Sequence, residues 1–335
     1  MLPKYPGAPP RDLSKPLEEL KILVDKKLDG QRLDLALAAV LTWRSRASIH
    51  RLIDGGYVQL AGRRIAAATR VHTGETIVVE VPPNPTANPD PGAGVEFPIL
   101  YEDQWLVAVD KPPGLAVHPS GRRLEGTLIQ ALHRRFRNPG DAAHDVVPRL
   151  LHRIDVETSG VVAVGLDEQF HHLVARQFED RVVQKTYLAV VHGKPAVAEG
   201  VVDLPIVPDK ASAVRLKLTT SRDGSGLPAV TAYRVVRSNA DYALVELRPK
   251  TGRTHQIRVH MAALGCPLVG DKLYGGDESI FLHQLSGTLD DDHRERLVLA
   301  RQALHSHSLT FHHPYLGREL RLEAPLPADL AALVP

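Results

Sequence analysis

The sequence predicts an α+β fold: a mixed, largely antiparallel sheet in a large C-terminal domain, preceded by a small α/β unit. Three observations predict it. Strand-like runs outnumber helical ones. After residue 180 they follow one another too closely for the helical crossovers that a parallel sheet needs. The stretch "PPNPTANPDPGAGVEFP" holds too many prolines for a helix or a central strand and divides the chain. A length of 335 residues exceeds the usual size of a single core, which agrees with two units.

Residues 1–20 are rich in proline and lack the apolar core of a secretory signal, so a loose tail is expected. Residues 21–82 form the small unit. "QRLDLALAAVL" carries a helical stripe at Leu33, Leu37, Val40 and Leu41. "SRASIHRLIDGG" follows, with Ser45 or Ser48 as its cap and Gly55-Gly56 as its stop. "YVQL", the turn "AGR" and "ETIVVEV" complete the unit with strands. Residues 83–96 are the linker, and residues 97–335 the large domain. There "WLVAVDKP", "GVVAVGL", "VVQKTYLAVVHG", "AVTAYRVV" and "YALVELRP" read as strands, and "GTLIQALHRRF" and "DEQFHHLVARQFED" as amphipathic helices. The polar region from residue 276 to 300 is expected to be a surface insertion.

Composition narrows the classes. No apolar stretch approaches the roughly 18 residues of a membrane span. A cytoplasmic protein without a membrane partner is therefore expected. The single cysteine, Cys266, excludes an internal disulfide and cannot by itself hold zinc. Net charge is only +2, but it is unevenly spread. Residues 21–82 hold ten Lys or Arg against six Asp or Glu, whereas residues 83–335 hold 28 against 30. Arg44, Arg46, Arg51, Arg63 and Arg64 lie in a segment whose one acid is Asp54. A solvated basic face would explain this, as would an appendage that faces RNA phosphates.

Three segments of the large domain carry candidate chemistry. In "HRIDVETSG", Asp155 sits between a basic dipeptide and a turn that leads into a strand, where a loop is rigidly anchored. It could equally cap the turn or pair with Arg153. In "KTGRTHQIRVHMAALG", Ile257, Met261 and Leu264 form a helical stripe, with Thr254 as the expected cap and Gly265 as the stop. Arg258 then falls in the first turn, where the helix dipole disfavours a cation, so a carboxylate or a phosphate must face it. A pair with Asp155 would serve, since an opposite charge favours the ionised acid. In "QKTYLAVV", Lys185 and Tyr187 share one strand face, and the ring could stack on an unpaired base.

Together with "DKPPGLAVHPSG" and "GCPLVGDKLYG", these segments resemble the RluA-type pseudouridine synthases, in that family's order. Residues 21–82 are similar to the S-four type of RNA-binding domain. The resemblance implies an RNA pseudouridine synthase, an isomerase that converts uridine to pseudouridine, with large-subunit (23S) ribosomal RNA as the expected substrate. It implies that Asp155 is the catalytic nucleophile, that Arg258 pairs with it, and that Tyr187 packs on the target uracil and takes part in proton removal. Arg153 would help extrude the nucleotide, and His152, Lys185, Arg253 and His255 would line the substrate site. It implies no cofactor, no metal, structured RNA as partner, and a monomer. In the small unit, Ala61 departs from the pattern by standing where asparagine is frequent, in a turn that asks for a positive φ.

Other functions remain open at this point. A transfer RNA could replace ribosomal RNA as the substrate, and a catalytically silent RNA-binding assembly factor would use the basic appendage alone. A glycosidase would need a second carboxylate, which the matched segments lack. "HSHSLTFHHP" invites a metal site, but no cysteine or acidic cluster accompanies it at ligand spacing.

Overall fold

The computed structural model describes residues 13, 19–41, 46–61, 63–80, 90, 92–120, 123–138, 140–141 and 144–335. The chain forms two units, one of residues 1–95 with 118–147 and the other of residues 96–117 with 148–335. This differs from the sequence-based division at residues 118–147, which group with the N-terminal segment.

The first unit contains β1 (Glu19–Leu23), α1 (Leu33–Val40), α2 (Arg46–Asp54), β2 (Val58–Leu60), β3 (Arg63–Arg64), β4 (Thr76–Glu80) and, from the second segment, α3 (Leu128–Phe136). Its sheet runs β1-β4-β2-β3, antiparallel throughout. Leu33, Leu37 and Leu41 are fully buried with Ile22, Ile77 and Val58, so the predicted stripe of α1 faces the strands. The expected cap Ser48 lies inside α2, and Ser45 lies outside the described residues. The stop at Gly56 holds, with φ +77°. Ala61 adopts φ +52° in the β2–β3 turn, the left-handed conformation that the departure from asparagine brought into question. That costs an L-residue about 1 kcal/mol.

The second unit is built on β5 (Ile99–Glu102), β6 (Leu106–Lys111), β7 (Arg149–Leu150), β8 (Ser159–Gly165), α4 (Glu168–Glu179), β9 (Gln184–His192), β10 (Glu199–Asp203), β11 (Ile206–Pro208), β12 (Leu218–Thr220), β13 (Val230–Ser238), β14 (Tyr242–Pro249), α5 (Gln256–Ala263), α6 (Ser279–Ser286), α7 (Asp291–Leu297), β15 (Leu304–His313), β16 (Arg318–Glu323) and α8 (Ala328–Ala331). The main sheet has the order β10-β13-β14-β9-β15-β8-β6-β5. Only the β15–β8 pairing is parallel, so the sheet is mixed and mostly antiparallel, as expected.

Every residue of β8 is buried, which explains its uninterrupted apolar run. On one face Val161 and Ala163 pack with Phe170 and Val174 of α4, whose cap Asp167 accepts from the Phe170 amide at 2.7 Å. Farther along the sheet, Ala189, Val245 and Leu247 pack with Ile257 and Met261 of α5. At the β8–β15 contact Gly160 has φ +106°, and a Cβ there would collide with the Ser306 carbonyl, so the glycine of "TSG" is a steric requirement. The expected insertion after residue 276 carries α6 and α7.

Candidate active site

β9, β15 and β8 are neighbours, and their register brings three chain segments to one end. Gly160 of β8 lies opposite Ser306 of β15, and Ser306 lies opposite Tyr187 of β9. The loop before β8 carries Asp155, and the segment before β15 carries Gln302. The turn of the Asp155 loop closes through the Thr158 amide, which donates to the Asp155 carbonyl at 3.1 Å.

The loop is also held from beneath. Lys111 is fully buried, and its Nζ donates to the carbonyls of Pro112, Leu115 and Val156 at 2.8, 2.9 and 3.0 Å. The Gly114 amide donates to the same Val156 carbonyl at 2.8 Å. The "DKPPG" segment therefore braces the residue next to Asp155. A buried ammonium is tolerable there because carbonyl oxygens satisfy it.

Arg258 supplies the next contact. Its Nη1 donates to Asp155 Oδ2 at 3.0 Å, while Nε and Nη2 donate to the two oxygens of Asp271 at 2.7 and 2.9 Å. Asp271 Oδ1 also accepts from the amides of Leu273 and Tyr274. Burial opposes the charge of Arg258, but the Asp271 carboxylate outweighs it and raises the guanidinium above its ordinary range. Burial likewise works against the Asp271 carboxylate, and Arg258 with the two amides overcomes it and lowers that acid. The guanidinium lies 5.0 Å from the Tyr274 ring centre, a cation–π distance. The cation that the dipole argument flagged thus sits between two carboxylates. Side-chain exposure rises from 0% at Asp271 through 10% at Arg258 to 34% at Asp155, so the accessible end of the chain is Asp155.

The start of α5 differs from expectation. His255, not Thr254, is the cap residue, in a left-handed conformation with φ +55°. Gln256 explains the change. Its side-chain oxygen accepts from the Thr251 hydroxyl at 2.7 Å and the Arg253 amide at 3.0 Å, and its Nε2 donates to Val230 and Thr231. This buried amide closes the turn in place of a threonine cap. The His255 ring takes the Tyr274 hydroxyl at Nδ1, 2.9 Å away, while that oxygen accepts from the Leu218 amide. Burial first, and then Arg258, push the His255 imidazole down.

Tyr187 packs against the α5 side of the core. Burial pushes its phenol up to about 12, a hydrogen bond with Ser306 opposes this, and the Asp155 charge adds to it. Lys185, on the same strand face, reaches the Thr251 carbonyl at 3.4 Å, and burial lowers its pKa. Arg253 donates to the Pro228 carbonyl at 3.1 Å. Arg153 is exposed and has no ion-pair partner among the described residues, so the local pair with Asp155 does not form.

His152, expected to line the substrate site, also has contacts within the fold. Its Nε2 accepts from the Ala163 amide at 3.1 Å, its ring stacks on Phe178, and burial pushes it down to about 4. In the first unit Arg46 and Arg51 are exposed on α2, Arg44 lies outside the described residues, and the side chains of Arg63 and Arg64 are likewise not described.

Sequence reasoning missed the partners behind the site. Besides Asp271 and Tyr274 these are Gln302, Thr158, Glu157 and Lys272. Gln302 Nε2 donates to Thr158 Oγ1 at 2.7 Å and reaches Asp155 Oδ2 at 3.4 Å. Glu157 pairs with Lys272 at 2.7 Å. Among the described residues no group of three or more His, Cys, Asp or Glu is placed to hold a metal ion. Of the histidines of β15, His305 and His307 both bond to the Ala324 carbonyl, and His313 contacts the Asp103 carboxylate at 3.2 Å.

Fold and site define a class of enzyme, one that carries an accessible carboxylate, held by a buried arginine, at the entry to a buried strand of a mixed sheet. The RNA pseudouridylate synthase family pattern matches residues 105–263. The chain is 38% identical to "Ribosomal large subunit pseudouridine synthase D" of Xanthomonas campestris pv. campestris, over 96% of this chain and 94% of that one. It is 34% identical to the RNA pseudouridine synthase YlyB of Bacillus subtilis, over 95% of this chain and 98% of that one. The solved structure titled "Human RNA Pseudouridylate Synthase Domain Containing 4" superimposes with a TM-score of 0.51 at 33% identity, covering 70% of this chain and 90% of that one. The chain belongs to the RNA pseudouridine synthase family, RluA type, and is an isomerase acting on RNA.

Proposed function

We propose that the enzyme isomerises uridine in large-subunit ribosomal RNA and that Asp155 is its nucleophile. The observation that carries the reading is the graded chain Asp271–Arg258–Asp155, which leaves Asp155 as its one accessible acid. The reaction breaks the N1–C1′ bond, turns the uracil, and forms a C5–C1′ bond. The C5 proton is lost and N1 gains one, so atoms balance without a co-reactant. Asp155 is suited to begin this by adding to the sugar carbon, adding to the base, or removing a sugar proton.

Tyr187 suits the role of platform and hydrogen-bond donor. Burial pushes its phenol up to about 12, which favours the protonated, hydrogen-bond-donating form. Arg153, exposed and without an ion pair, is available to occupy the space left by an extruded nucleotide, which base access requires. The first unit would add affinity through phosphate contacts, as an S-four-type domain. Several relatives of full-length coverage carry the large-subunit name, which favours that substrate over transfer RNA.

The test maps pseudouridines in total RNA from cells lacking the protein, rescued by wild type or Asp155→Ala, by carbodiimide-dependent primer-extension stops. The expected result is a large-subunit stop that only the wild type restores. A stop confined to transfer RNA would overturn the substrate, and rescue by Asp155→Ala would overturn the role of the acid.

A further inference from the structure

We infer that Gln302 is a positioning residue for Asp155, part of a second brace built from Gln302, Glu157 and Lys272 that acts beside Arg258. The inference rests on the reading of Asp155 given above.

Gln302 is 1% exposed. Its side-chain amide has two hydrogens. One goes to Thr158 Oγ1 at 2.7 Å, and the other points at Asp155 Oδ2 across a longer 3.4 Å. Such contacts are often long without substrate and tighten when it binds. Both Arg258 Nη1 and Gln302 Nε2 address Oδ2, and no donor among the described residues reaches Oδ1. With one donor alone the carboxylate could turn about its last bond. A second donor, anchored on Thr158, fixes which oxygen faces the cleft.

The amide is itself held in place. The Gln302 backbone N–H donates to Glu157 Oε2 at 3.2 Å. Glu157 Oε1 accepts from Lys272 Nζ at 2.7 Å, and the same ammonium donates to the Ala300 carbonyl at 2.6 Å. Loop residue Glu157 is therefore tied to residue 302 directly and to residue 300 through Lys272. The Asp155 loop and the segment entering β15 move as one piece.

The experiment uses the full-length enzyme in excess over total RNA from the deletion strain, with timed carbodiimide mapping as the readout of single-turnover rate. RNA binding and urea unfolding are measured alongside. Gln302→Leu is expected to slow conversion roughly 10- to 100-fold with binding unchanged, the scale of a misplaced reacting group. Gln302→Glu sets a like charge beside Asp155, and the acid limb of its rate–pH profile should move to higher pH. Thr158→Val, which removes the amide's anchor, should give a smaller loss.

A purely structural glutamine would leave the rate per bound RNA of folded Gln302→Leu and Thr158→Val at the wild-type value, and that result would overturn the inference. If Gln302→Leu does not fold, the rate per bound RNA of Thr158→Val decides it. Asp155→Ala separates the two readings. Full turnover by that variant removes both, whereas an inactive Asp155→Ala beside fully active Gln302 variants removes the brace alone.

Discussion

Each unit contains an acid gathered with arginine, and the two arrangements are inverted. In the first unit the acid is buried: Asp34 is 2% exposed, and around it stand Arg32 at 3.0 Å, Arg46 at 3.8 Å and His50 at 3.3 Å, all open to solvent. In the second unit the arginine is buried and the acid Asp155, half-buried, is the more exposed partner. The buried member is the fixed point in each case, and the exposed member is the one that can meet RNA. An exposed cation suits a phosphate, whereas an exposed carboxylate would repel one and so needs a different purpose. Chemistry on an extruded nucleotide is the purpose proposed for it above.

The inversion predicts that changes in the second unit act on rate and those in the first act on affinity. Asp155→Asn should lower the single-turnover rate on the order of 10⁴-fold or more, the scale found when a nucleophile is removed, with RNA affinity nearly kept. Arg258→Lys keeps the charge but cannot hold Asp271 with two donors while reaching Asp155 with a third. A loss of roughly 100-fold in rate is expected. Asp271→Ala should chiefly destabilise the fold, by about 3–5 kcal/mol, because it leaves a buried guanidinium half paired. Urea unfolding checks this, and an unchanged midpoint would show that Asp271 is not what holds the buried Arg258 in place.

Much of this site was legible because of local conflicts in the sequence. Arg258 stood out as a cation against a helix dipole, and Asp155 as an acid at a strand entrance. Gly160 was legible as a turn residue, but its steric reason needed Ser306, 146 positions away. The brace was not legible for the same cause: Gln302 and Lys272 meet Glu157 across gaps of 145 and 115 residues, with no periodicity to mark them. The cap of α5 was misplaced at Thr254 because the buried amide of Gln256 does that work from inside the helix. His152 entered through the family resemblance, and its contacts with Ala163 and Phe178 could not be read from the chain. Five of the longer strands and the two amphipathic helices followed from periodicity, whereas the order of strands in the sheet did not.

Two inward histidines give the second unit a smaller, pH-dependent signature. His152 and His305 are both pushed down to about 4 by burial, from an ordinary 6.5, with Lys185 adding to it at His152. Between those values the unfolded chain binds protons that the folded one refuses. Their contribution is therefore complete above about pH 6.5 and is lost as pH falls toward 4. For His305, fully buried between Ser159 and the Ala324 carbonyl, the effect at full protonation approaches about 3 kcal/mol. Urea midpoints at several pH values should fall over this window, and a His305→Asn variant, less stable at neutral pH, should show a flatter profile.

The smallest effect is expected on the exposed side of the comparison. Arg46 is 68% exposed, and its 3.8 Å contact to Asp34 is a surface pair of little energy, because Arg32 already holds that acid with two hydrogen bonds at 3.0 and 3.1 Å. Arg51 is also exposed on the same helix. Replacing each by glutamine should leave folding unchanged. If each arginine neutralises one phosphate, each replacement weakens RNA binding at low salt and lowers the slope of log affinity against log salt by about 1. The rate for bound RNA should stay at the wild-type value. Filter binding over a salt series measures the slope. An unchanged slope for the double replacement would mean that α2 does not meet RNA phosphates, and the contrast between an affinity unit and a chemical unit would then have to be drawn without its arginines.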